Sequence, residues 1–173
     1  VGNNDDESFN SQRGGATSDY FYTELTLERL FRLPRDFRLA FRSTAQWSQS
    51  RLISTEQLLA GGYRSVRGFD ENLVRGDSGL VGTLELLTPE IGVFKKQNDS
   101  LQPSIFFDAG WLRAHDRTEA EPDQDLSSTG IDFRYQIGKW ASLRAGYGWH
   151  VSANGIEGIE DDGKFHFGAT IFY

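Results

Sequence analysis

Apolar and polar residues alternate with a period of two along most of this chain. From Phe165 to Tyr173 one face reads Phe165, Phe167, Ala169, Ile171 and Tyr173, and the other His166, Gly168, Thr170 and Phe172. From Ala141 to Val151 the sets are Ala141, Leu143, Ala145, Tyr147, Trp149 and Val151 against Ser142, Arg144, Gly146, Gly148 and His150. Ile131, Phe133, Tyr135 and Ile137 alternate with Gly130, Asp132, Arg134 and Gln136 in the same way. Strict alternation over about ten residues predicts half-buried strands. The pattern predicts seven of membrane length: 19–33, 37–49, 78–88, 104–113, 130–137, 141–151 and 164–173.

The connections differ from end to end. Leu33 to Asp36 and Gly138 to Trp140 are tight turns, and Ile91 to Gln102 is a moderate one. Residues 49–77, 114–127 and 152–164 are long, polar and rich in glycine or acid. Short turns at one end and long loops at the other fit an up-and-down antiparallel wall of the outer-membrane type. The fold class read here is all-β, a portion of a transmembrane β-barrel spanning 19–173, after a polar or disordered lead-in over 1–18.

Alternation alone does not say which face meets lipid, since a soluble barrel of the lipocalin kind puts its apolar set inside. Two features decide. The polar set carries Glu24, Glu28, Arg38, Arg42, Glu85, Asp108, Asp132, Arg134 and Arg144, which suits a wet, charged lumen. The apolar set places Trp47, Trp111, Trp149, Tyr135 and Tyr173 toward strand ends, as interfacial aromatic girdles require.

Composition narrows the class further. No run of 18 apolar residues exists, which excludes a spanning helix but not a barrel. The net charge of −7 argues against a nucleic-acid partner. Cysteine is absent, removing disulfide frameworks and thiolate metal sites. The chain has no Met and opens Val1-Gly2-Asn3, so it reads as a piece of something longer.

The densest chemical signal is Gly61-Gly62-Tyr63-Arg64-Ser65-Val66-Arg67-Gly68-Phe69, followed by Gly76-Asp77-Ser78-Gly79. Glycine at that density lets backbone fold back at little steric cost. An arginine among them can be driven into a confined space and held by a carboxylate fork. Asp108 falls on the polar face of its strand, between Phe106 and Gly110. Taken alone, Arg67 also reads as a solvated loop residue, as most loop arginines are, and Asp108 as one lumen charge among many.

Val66 to Gly79, running on into Leu84-Glu85-Leu86 and Pro89, resembles the inward-folded sixth extracellular loop and following strand of two-partner secretion transporters, the TpsB proteins. Phe106-Phe107-Asp108-Ala109-Gly110 resembles the strand motif that receives that loop's arginine. The closing pattern is similar too, from Leu126-Ser127-Ser128-Thr129-Gly130 through Ala145-Gly146-Tyr147 to Asp161-Asp162-Gly163. The resemblance covers roughly residues 19–173, and Val-Arg-Gly-Phe is shared with the wider superfamily that includes outer-membrane insertases.

The resemblance implies a pore of roughly sixteen strands, with periplasmic POTRA domains and further strands upstream of this chain. It implies an outer-membrane location in a Gram-negative bacterium (or an equivalent organelle membrane). It also implies export of one large unfolded exoprotein of haemolysin or adhesin type, without enzyme activity, cofactor or metal. Arg67 would point into the lumen from a loop at about 50–77, with Val66, Gly68 and Phe69 beside it. Asp108 would receive it, in a seat shaped by Phe106 and Gly110. His166, Gly168, Ile171 and Tyr173 fit the terminal signal read by the outer-membrane assembly machinery; Tyr173 is equally readable as a simple interfacial anchor.

Other chemistry is thin. His115, His150 and His166 are scattered with no nucleophile near in sequence, so an outer-membrane hydrolase is disfavoured. The acids from Asp116 to Asp125 and at Glu157, Glu160, Asp161 and Asp162 lack the spacing of an EF-hand and read as solvated loop charge. The rivals that remain are an insertase of the same superfamily and a passive porin or adhesin barrel. An odd number of antiparallel strands cannot close on itself with antiparallel pairing throughout. The edges then need upstream strands (the favoured outcome), a second copy, or residues 7–13 recruited as an eighth strand.

Overall fold

Alternation is realised as one seven-stranded antiparallel sheet. The computed structural model describes residues 6–94, 98–116, 121–159 and 162–172. Its elements in chain order are α1 (Asp6–Gln12), β1 (Tyr22–Arg32), β2 (Arg38–Ser48), β3 (Leu58–Ala60), β4 (Val74–Gly76), β5 (Ser78–Leu87), β6 (Asp99–Arg113), β7 (Gln124–Ile137), β8 (Ala141–Asn154) and β9 (Gly163–Ile171). The large sheet runs β1-β2-β5-β6-β7-β8-β9, and β3 pairs with β4 as a separate hairpin inside the long β2–β5 loop.

Three expectations are corrected. Residues 6–12 of the supposed polar or disordered lead-in form a short helix, with Phe9 of the helix and Ala16 after it both buried. That rules out residues 7–13 as an eighth strand. β6 begins at Asp99 rather than 104, and β7 at Gln124 rather than 130, so the strands reach well into the supposed loops. Each early segment is paired with its neighbour along its length, from Asp99↔Ile137 to Leu112↔Gln124.

Register places chemistry in rows across the sheet. One inner row reads Glu28, Arg42, Thr83, Asp108, Ser128 and His150. The next reads Ala40, Glu85, Phe106, Gly130, Gly148 and Lys164. A third carries Ser104, Asp132, Gly146 and His166. The opposite face carries Phe41, Leu84, Phe107, Ile105, Ile131, Phe133, Phe165 and Phe167, all exposed. Trp47, Trp111 and Trp149 stand exposed toward the loop-rich end and Trp140 at the tight-turn end. An outward apolar band between aromatic girdles, around a charged interior, is the signature of a barrel wall in lipid.

The buried apolar core does not lie on that outer face. Leu58, Ala60, Val66, Phe69 and Val74 of the long loop pack with Val81, Leu112 and Leu126 of the inner wall. The loop is therefore the object that the inner face is built to hold.

Candidate functional site

Arg67 lies at the centre of the inward loop and is 4% exposed; Asp108 is 0% exposed. The guanidinium grips Asp108 with two parallel bonds, Nε–H to Oδ2 at 2.8 Å and an Nη2–H to Oδ1 at 2.9 Å. The Arg67 backbone N–H donates to Oδ2 as well, at 3.0 Å. Beneath it, the Phe106 ring lies 3.5 Å from the guanidinium carbon. Gly110 leaves space for Ala60 and Val66, since a Cβ there would stand 3.2 Å and 3.4 Å from their side chains. The three receptor residues read from the sequence all touch the loop.

The pair belongs to a balanced network. Arg67 also reaches Glu85 at 3.3 Å and approaches Asp132 at 4.0 Å. Arg134 pairs with Glu85 at 2.7 Å, and Arg144 Nε–H donates to Asp132 at 2.7 Å. Three arginines thus neutralise three buried carboxylates. Beside this network lies a cleft of about 740 Å3 lined by Glu28, Arg42, Arg64, Glu85, Arg134 and Arg144.

Magnitudes separate what holds the loop from what aims it. Fully burying a Val or Phe side chain stabilises by about 1.5–3 kcal/mol. Val66 and Phe69 are 0% and 2% exposed, so together they supply several kcal/mol of attachment. A buried ion pair is close to neutral against its desolvation cost, but breaking it by removing one partner costs about 3–5 kcal/mol. Apolar burial attaches the loop; Arg67 and Asp108 fix its register.

The tip rests on a floor without side chains. Gly68 has φ +92°, a conformation glycine adopts readily, and a Cβ on it would stand 2.7 Å from the Gly148 carbonyl oxygen. A Cβ on Gly148 would stand 2.7 Å from the Gly68 nitrogen. Gly68 N–H donates to His166 Nε2 at 3.0 Å, and His150 Nε2 lies 2.6 Å from the Gly68 carbonyl oxygen. Phe69 stacks on His150 with centroids 3.9 Å apart. The sequence reading treated these histidines as scattered. They are brought together because alternate inner positions of β8 and β9 face the same loop tip. Gly146 and Gly148, spaced by two on β8, with Gly130 opposite Gly148 on β7, were the available signal.

Of the terminal-strand residues, His166 faces inward onto the loop, Ile171 is exposed on the outer face, and Gly168 has no neighbour within 4 Å of a built Cβ. Tyr173 lies outside the described residues.

A second hub pins the loop root, and nothing in the sequence announced it. Asp77 is 0% exposed and accepts two bonds from Arg13, at 2.5 Å and 3.0 Å, with others from the Leu52 and His115 backbone. Glu121 joins through Arg13 at 3.0 Å and Arg51 at 2.6 Å. Glu121, read as solvated loop charge, is instead paired. Its hydrogen bond with Arg13 holds its carboxyl below the ordinary carboxylate value. Burial works against the Arg13 charge, yet the hydrogen bonds with Asp77 and Glu121 outweigh it and push its pKa up. Among the described residues, no group of three or more His, Asp or Glu stands ready to hold a metal ion.

A family model described as haemolysin secretion/activation protein ShlB/FhaC/HecB matches residues 1–135. That span includes the loop, Arg67 and Asp108. Among curated proteins nothing matches. Among solved structures, CdiB from Escherichia coli matches with a TM-score of 0.78 at 20% identity, a likeness of fold. The match covers 91% of this chain and 28% of the CdiB chain, so the chain spans well under a third of that protein's length.

Proposed function

The chain belongs to the haemolysin secretion/activation protein family, ShlB/FhaC/HecB, and we propose that it forms the loop-bearing wall of an outer-membrane pore that exports a large unfolded exoprotein. The observation that carries this is the Arg67 fork on Asp108, buried on the inner face of a sheet whose outer face is apolar. A loop fixed there narrows the lumen. The cleft of about 740 Å3 beside it, lined with charge, suits an extended polypeptide better than a compact one. Transport takes its direction from the exoprotein folding outside, and the pore needs no nucleotide. Upstream strands and POTRA domains complete the working molecule. By their sequence pattern, His166, Gly168, Ile171 and Tyr173 form the terminal signal read by the outer-membrane assembly machinery, in the manner of strand addition.

The experiment is secretion by the full-length protein carrying Arg67→Ala or Asp108→Ala. Exoprotein in the medium falls strongly, while the amount of inserted barrel changes little. Wild-type secretion by both variants sinks the reading and returns the chain to a passive barrel.

A further inference from the structure

Both backbone polar atoms of Gly68 are held by imidazoles from different strands. His166 of β9 accepts from the Gly68 N–H at 3.0 Å, and His150 of β8 lies with Nε2 2.6 Å from the Gly68 carbonyl oxygen. These two contacts fix tautomers. A carbonyl oxygen only accepts, so His150 Nε2 carries a proton. An amide N–H only donates, so His166 Nε2 carries a lone pair. Aromatic contacts reinforce both rings: Phe69 stacks on His150, and Tyr63 lies tilted over His166 with centroids 5.9 Å apart.

We propose that His150 and His166 are positioning residues that grip the inward loop at its tip, and that protonation of His166 releases that grip. The proposal rests on the reading of the loop as the element that narrows the pore. The two rings respond differently to acid. Charged imidazole donates from both nitrogens, so His150 keeps its bond to the Gly68 carbonyl. Charged His166 loses its lone pair and turns an N–H toward the Gly68 N–H. The loop's backbone then faces a donor where it needs an acceptor, and burial makes that unmet donor costly. The charged groups facing His166 are Arg67 and Glu71 of the loop, Asp108 of β6 and Lys164 of its own strand, two of each sign. Arg144 of β8 lies over the Tyr63 ring beside it. Histidine is the side chain whose ordinary charge change falls within the range a surface pore meets.

Two readouts on the full-length protein separate this from the pore reading. Hydrogen exchange of the segment around Gly68, corrected for intrinsic rates, reports the grip. Single-channel recording in a planar bilayer reports the narrowing. From about pH 8 to about pH 5 wild-type protection at Gly68 falls, approaching about tenfold per pH unit at the limiting slope for one proton. Channel openings rise in parallel. His166→Gln presents an amide oxygen that does not titrate, so protection stays high and flat. His150→Gln keeps a donor and keeps the wild-type slope. Arg67→Ala opens the channel at every pH. If Arg67→Ala leaves conductance unchanged, the pore reading fails while exchange still judges the grip. Flat protection in the wild type overturns the inference by itself, even if His166→Gln fails to insert. A His166→Gln profile that titrates like the wild type overturns it equally.

Discussion

At the residue scale, the inner face works through what its side chains omit as much as through what they bond. Gly148 admits the loop tip, whereas Gly168, two rows away on β9, borders open space. Gly148→Ala puts a methyl 2.7 Å from the Gly68 nitrogen and 2.8 Å from the Arg67 carbonyl carbon, against backbone that cannot swing aside. Overpacking of this kind costs about 1–3 kcal/mol. The expected outcome is faster exchange across residues 64–70 and a leakier channel, with barrel insertion preserved. Gly168→Ala leaves both unchanged, and equal effects from the two substitutions would refute the glycine-floor account. Arg67→Lys keeps the charge but loses the second parallel bond and the flat contact on Phe106. Secretion by Arg67→Lys is therefore expected below wild type; full activity would show that charge alone suffices.

At the scale of elements, the loop is held at root and tip by segments far away in sequence. Arg13, just beyond α1, grips Asp77 across 64 residues and Glu121 across 108. Arg13→Ala leaves the Asp77 carboxylate buried with only the Leu52 and His115 N–H groups and the Gln57 amide as donors, a loss at the lower end of the roughly 3–5 kcal/mol for breaking a buried pair. Proteolysis should then open residues 6–16 and 49–57 together; unchanged cutting would refute the clasp. The sign of its pH response follows from Glu121. A carboxyl held below its ordinary value in the folded state adds stability above the ordinary carboxylate range. That stability is lost as pH falls through the lowered value. Acid-induced loosening at the root is thus expected below about pH 4.5, and Glu121→Gln should blunt it. The hub was invisible in the sequence because α1 carries one buried apolar residue, Phe9, and is held by tertiary contacts rather than its own pattern. The seven strands were legible because period-two alternation is a local signal. Early β7 was not, because Gln124 to Thr129 is polar on both faces except for the buried Leu126. The Arg67 pairing was legible through glycine density and one inward Asp, but the histidine grip spans 82 and 98 residues and leaves no local trace.

At the scale of the whole molecule, the same sheet must answer to lipid on one side and water on the other. Phe107 stands mid-strand on the outer face at 47% exposure, and Thr44 on the inner face hydrogen-bonds Thr26. An arginine on a barrel's lipid face at the bilayer midplane costs about 2–4 kcal/mol. Phe107→Arg should therefore lower the folded, heat-resistant fraction on gels, and Thr44→Arg should not; equal losses would contradict the assigned faces. The lateral edges pose the harder problem. β1 pairs only with β2 and β9 only with β8 among the described residues, so the 11 residues of β1 and the 9 of β9 each present one unpaired side. Unsatisfied backbone groups in hydrocarbon cost several kcal/mol each. Seven antiparallel strands cannot relieve this by closing, because β1 and β9 would meet parallel, and α1 removes the candidate eighth strand. Among the described residues nothing fills these edges, so further strands or another copy are expected to do so. Expressed alone, residues 1–173 should associate edge to edge in detergent. The sequence contains no cysteine, so Thr26→Cys with Thr170→Cys introduces the only thiols. Oxidation should yield cross-linked dimers and larger species. A monomeric, conducting barrel from these residues alone would overturn the strand order itself.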